Sequence, residues 1–458
     1  MTLILRYFIV FIILGLSTEL FCQDNNEIFK LSISEAQEYA LQNNRTVISA
    51  KINVDIATKQ IKETVGIGLP QLNLATNYQH QFVVPQLSFG SYLDPGALPD
   101  NVFITKNDIE GAYKQSPSVS LGVRNNTTFD ITLSQLIFSG EYLVGLLAVK
   151  VIKEVSEKAL TKTESQTKET VAGTYFMVLV LGESLKVLNE SLTSIDKTLN
   201  DLVKMNQQGF NEDTDVDQIR ISWSDLKRLI TSVEAQREVS IKLLKYQMGM
   251  NFDQEIELTD SIPYFVSEGN MQYLVSPVFD LDNSIDYRIV SQQVEVASIL
   301  LRREQSKYLP TVSAFYRRHE QTNAPSFNFA VKDLIGLSLN IPIFTSGQRS
   351  SKVSQARLAL EKSQLDQSDA GQGLILEFEN ALTEYQTAYN NFKTNSESIK
   401  LSKRVYDKTL IKYQEGVTSS FELSQNQTQF LTSESNYYSS ILTLLNAKAK
   451  LDRILEIN

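Results

Sequence analysis

The chain has 458 residues, 42% hydrophobic and 21% charged, which excludes a wholly disordered polymer. Its 43 basic and 53 acidic side chains give a net charge of −10 without a long run of either sign. That argues against nucleic acid as a partner, because phosphate binding needs a basic face. One cysteine and two histidines rule out a disulfide framework and leave almost no room for a zinc site.

Leu3–Leu16 is an apolar run of 14 residues broken only by Arg6 and Gly15. It suits the core of a secretory signal and falls short of the roughly 20 residues a spanning helix needs. Cleavage after Cys22 makes residues 1–22 the leader. The alternative is a lipoprotein anchored through Cys22, although Phe21 stands where lipid attachment wants a small residue. Beyond the leader no apolar stretch is long enough to cross a bilayer as a helix; the closest is Tyr175–Leu181, inside an amphipathic pattern.

A helix opens at Ser32 or Ser34, with Glu35 as its helix-start acid and Ala36, Ala40 and Leu41 on its apolar side. Strict alternation follows. Leu72, Leu74, Thr76, Tyr78 and Phe82 share one parity, and Gln71, Asn73, Asn77 and Gln79 share the other. From residue 119, Val119, Leu121, Val123, Phe129, Ile131 and Leu133 alternate with Ser118, Ser120, Arg124, Asp130 and Thr132. Period two predicts strands with one apolar and one polar face. Residues 141–208 are free of proline and predict one helix of about 100 Å if straight. A returning helix spans residues 214–251.

The order then repeats. Ser139-Gly140 answers Ser346-Gly347, and Gln208-Gly209-Phe210 answers Glu415-Gly416-Val417, each 207 residues on. The pattern predicts repeat 1 at 23–255, with strands at about 70–83 and 117–138 and a helix hairpin at 141–251. A linker covers 256–284. Repeat 2 covers 285–458, with strands at about 310–320 and 334–345 and a hairpin at 347–456.

An ordinary antiparallel sheet with one wet face produces the same alternation. The strands also reach the roughly 9–11 residues that a tilted membrane strand needs, and open sheet edges are not tolerated in lipid. Four strands cannot close a barrel, so copies would have to share one. Two copies give a barrel filled by side chains, three leave a pore, and the polar faces favour three.

Leu31-Ser32-Ile33-Ser34-Glu35-Ala36, Ala40-Leu41-Gln42-Asn43-Asn44, Gln135-Leu136-Ile137-Phe138-Ser139-Gly140 and Tyr413-Gln414-Glu415-Gly416-Val417, in duplicated order, resemble the TolC-like outer-membrane factors. The resemblance implies a mixed α and β membrane protein of the cell outer membrane. Its homotrimer would build a 12-stranded barrel continued by an antiparallel coiled-coil helical barrel in the periplasm. It would serve as the exit duct of a tripartite efflux or type I secretion system, with outer-membrane lipid, a periplasmic adaptor and an inner-membrane transporter as partners. The implied gate falls on Thr214, Asp215 and Tyr413. The family's gating arginine falls on Thr418, so the salt link to Asp215 is missing. Two acidic rings fall on Glu422 and Gln425, of which only the first keeps its charge, and the tip turns fall on Gly209, Phe210, Gly416 and Val417.

Three Glu422 carboxylates around an axis would select cations; a solvated helix-start acid is the plain alternative. Tyr413 is equally readable as a core aromatic at a helix end. No phosphate loop, nucleophile elbow or HExxH pattern occurs, so no enzyme activity, cofactor or metal is expected. His80 and His319 read as lumen or interface residues, and Tyr78, Tyr92, Tyr113, Phe82, Phe103, Phe315 and Tyr316 as girdle aromatics. The competing function is a lipid-anchored coiled-coil scaffold of the envelope without a pore.

Overall fold

The computed structural model describes residues 28–100, 103, 105–116, 118–267, 278–325 and 328–457. The leader and Cys22 lie outside them. The chain forms two compact units, one from residues up to Ile52, Ala159–Tyr287 and the segment from Gly371, the other from Asn53–Lys158 and Arg288–Ala370. Each unit takes segments from both halves of the sequence. The main elements are β1 (Phe29–Leu31), α1 (Ile33–Asn43), α2 (Arg45–Ile67), β2 (Gln71–His80), β3 (Asn125–Ser139), α3 (Gly140–Gln207) and α4 (Asp213–Met248). They continue with β4 (Ile256–Leu258), α5 (Ile285–Ser306), β5 (Thr311–Gln321), β6 (Asp333–Asn340), α6 (Gln348–Gln414) and α7 (Ser420–Ile454).

In the first unit, Ser32 caps α1 with a full capping box, its hydroxyl accepting from the Glu35 amide while Glu35 accepts from the Ser32 amide. Ala36 and Ala40 then face inward and join Val171, Tyr175, Phe378, Tyr385, Leu444 and Leu451 in the main core. Burying an aromatic of this size stabilises by roughly 2–3 kcal/mol. The Tyr175 hydroxyl lies 2.9 Å from the Leu31 carbonyl and 2.8 Å from Asp260, which also accepts from the Ile33 amide at 2.7 Å. β1 pairs in parallel with β4, so the segment between the halves contributes a strand as well as a connection. Near the end of α7, Arg453 reaches Glu169 at 2.6 Å and Glu377 at 2.9 Å.

One sequence expectation about α3 needs correcting. It contains an 18-residue window apolar enough to cross a membrane by length and composition, 44% of it buried. Val171, Ala172, Tyr175, Phe176 and Val178 sit in this region and are buried against protein, so a core helix accounts for the apolarity.

The second unit carries a four-stranded antiparallel sheet in the order β6-β5-β3-β2. Cross-strand pairs Leu72–Leu133, Leu74–Ile131, Leu133–Tyr316, Ala314–Leu337 and Val312–Leu339 place the apolar residues on one face. The other face carries Asn73, Thr132, Asp130, Ser134, Ser313, Arg317, His319 and Ser338. Among the described residues both outer strands leave an edge unpaired, and their apolar side chains are open: Leu72 70%, Leu74 66%, Ile335 80% and Leu337 77% exposed.

Three strand expectations shift. β3 begins at Asn125, not near 117; Val119–Ser120 belongs to a separate ribbon with Gln86–Leu87, and residues 121–124 are in no strand, so Arg124 precedes β3. β6 ends at Asn340, one residue before Ile341-Pro342, where proline removes a ladder donor. Phe315 is paired opposite Ser134 and Gly336 on the polar face and is no girdle residue, whereas Tyr316 is on the apolar face and its hydroxyl bonds Asp333 at 2.6 Å.

Candidate functional site

The ends of the two helix hairpins are built alike. After α3, Gly209 takes φ +81°, its amide donates to the Asn206 carbonyl at 2.8 Å, and the Phe210 amide donates to Met205 at 3.0 Å. After α6, Gly416 takes φ +72°, with its amide on Tyr413 at 3.0 Å and the Val417 amide on Lys412 at 2.9 Å. Such a cap needs a left-handed residue, which glycine supplies without strain. Phe210 and Val417 are left 72% and 70% exposed at the turns.

Between the turns, Asp215, Tyr413, Thr418, Ser419 and Ser420 line one groove of about 710 Å³. Asp215 accepts a hydrogen bond from the Ser420 hydroxyl, linking the start of α4 to the start of α7. Burial, and secondly the Asp215 charge, push the half-buried Tyr413 hydroxyl up to about 12, so it stays protonated as a neutral donor. Thr418 donates to Glu422, whose amide donates to the capping Ser419 hydroxyl at 3.3 Å. Glu422 and Gln425 are exposed one turn apart on α7.

Not every sequence-derived residue joins the groove. Thr214 is exposed and donates to its neighbour Glu212 at 3.1 Å. Gln425 lines a separate polar groove with Gln218, Phe421 and Ser424. Sequence reading also missed two residues. Ser420 supplies the link to Asp215, and Asn206 braces the first turn through the Asn211 carbonyl and Asp213, both at 2.9 Å. The doubled Ser419-Ser420 at the start of α7 was the available signal for the first: one serine caps the helix and leaves the other free to reach across the hairpins.

Residues 281–455 match the family model described as Outer membrane efflux protein. Among solved structures, the chain superposes on CusC, studied for its folding and transmembrane channel formation, with TM-score 0.72 and 15% identity over 95% of each chain. It is similarly close to the Campylobacter jejuni CmeC outer membrane channel, with TM-score 0.71 and 16% identity over 92% of this chain and 85% of that one. The Vibrio cholerae outer membrane protein VceC gives 0.68 and 13% over 92% and 95%. No curated protein sequence matches the chain. The resemblance to TolC-like outer-membrane factors is thus borne out: the family model matches much of the second half, and the fold over nearly the whole chain is that of these channels.

Proposed function

We propose that this chain is an outer-membrane efflux channel with a periplasmic helical portion, acting as the passive exit duct of a tripartite efflux or type I secretion system. The observation that carries this reading is the sheet: four strands, two open edges, one exposed apolar face and one polar face. Unpaired edges beside such a face suit neither water nor lipid, and closure with other copies satisfies both. Three copies give a 12-stranded barrel with its polar face on a lumen. The shared geometry of the two glycine turns supports a duplicated chain.

In this reading the tip is held shut by Asp215, Tyr413 and Ser420, with Thr214 beside them, and the Ser420–Asp215 bond stands where an arginine at position 418 would have made a salt link. Glu422 and Gln425 ring the aperture, and Gly209, Phe210, Gly416 and Val417 meet a periplasmic adaptor that couples the duct to an inner-membrane transporter. A pore-free scaffold gives no use to the two-faced sheet. The test is single-channel recording in planar bilayers. Asp215→Ala and Tyr413→Phe should raise conductance severalfold; unchanged conductance in both would remove these residues from the gate, and no channel with either would remove the duct.

A further inference from the structure

Arg317 of β5 sits directly opposite Thr132 of β3 and Leu334 of β6, on the polar face of the sheet. Its side chain is exposed, and among the described residues no ion pair or side-chain hydrogen bond holds it. Within the four strands, the other charged or titratable groups of that face are Asp130 and His319, which share a hydrogen bond at 2.8 Å and keep only 23% and 19% of their side chains exposed. The adjacent Arg318 alternates onto the apolar face, where Glu320 holds it at 2.8 Å. Within the four strands, one guanidinium per chain therefore stands unmatched on the face read above as the lumen; Arg124, just before β3, adds a second exposed one at the strand end, where its carbonyl accepts from the Gln81 amide at 2.8 Å.

We propose that Arg317 sets the charge preference of the barrel section, favouring anionic solutes such as carboxylates, phosphates and sulfonates over cations of similar size. The inference rests on the barrel reading. Guanidinium stays charged at every accessible pH, and three of them inside a wall of low dielectric would focus a positive field on the passing solute. Asp130 offsets part of this field from a recessed position against His319, while Arg317 is open to the solvent.

The test uses Thr132→Cys, a lumen position beside Arg317, in intact cells; Cys22 is the only native cysteine. Rates of labelling by a sulfonate-bearing and a trimethylammonium-bearing methanethiosulfonate are compared, entering from outside so that the helical tip plays no part. The anion-to-cation rate ratio should fall by about fivefold or more in Arg317→Gln, as expected for a unit charge within several ångströms. Arg317→Lys should keep the ratio, which separates charge from a folding effect. An unchanged ratio in Arg317→Gln would overturn the proposal and leave the duct standing. Leu133→Cys, on the lipid face, should resist both reagents. Equal labelling at 132 and 133 would mean that the sheet is not a barrel wall, and both readings would fall together.

Discussion

Glu434 lies 1% exposed within α7, with neither carboxylate oxygen hydrogen-bonded among the described residues, and Gln427, two turns earlier, is 2% exposed with its amide equally unmatched there. Burial pushes the Glu434 carboxyl up from 4.5 to about 7; Lys403 pulls it down and Glu190 adds to the rise. A carboxyl raised on folding leaves the native state binding more protons. Stability is then full below pH 4.5 and is lost as pH rises towards 7, by roughly 3 kcal/mol at most. Thermal unfolding of the detergent-solubilised protein should therefore start higher at pH 5.5 than at pH 8, and Glu434→Gln should flatten the difference. An equally steep profile in the variant would place the proton elsewhere. Position 434 follows Phe430 by one turn on a buried stripe, so its burial was readable from spacing. Its lack of a partner was not, because cross-helix contacts leave no period in the sequence. Glu422, by contrast, is exposed beside the turn. Glu422→Ala should weaken block by multivalent cations at the periplasmic mouth, and unaltered block would mean that it acts only as a helix-start acid.

At the level of elements, the periodic signals were the reliable ones. Proline-free runs gave α3 and α6 to within a residue or so, because glycine turns end both. Strand ends were less legible: alternation runs unbroken through Val119–Val123, yet hydrogen bonding hands that stretch to another ribbon. Gly336 shows the packing that alternation hides. A Cβ there would meet the Phe315 ring at 2.5 Å, so the ring uses the space the glycine leaves on the neighbouring strand. Gly336→Ala should cost about 1–3 kcal/mol by forcing the ring aside. Adding Phe315→Ser should recover part of the loss in melting experiments. If the two substitutions simply add, the ring does not depend on the glycine.

For the whole molecule, the sequence showed the two-faced strands and the long hairpins, and the polar strand faces and the resemblance to outer-membrane factors both pointed to three copies. Neither the strand order β6-β5-β3-β2 nor the membership of the two compact units could be read beforehand, since both join segments far apart in the chain. The open edges of that sheet are the reason for expecting partners, and identical copies are the simplest source of matching strands. The most direct test is the mass of the detergent-extracted protein, corrected for bound detergent. The account predicts three chains per particle. A monomer that stays soluble without detergent would contradict it, remove the barrel and leave the coiled-coil scaffold.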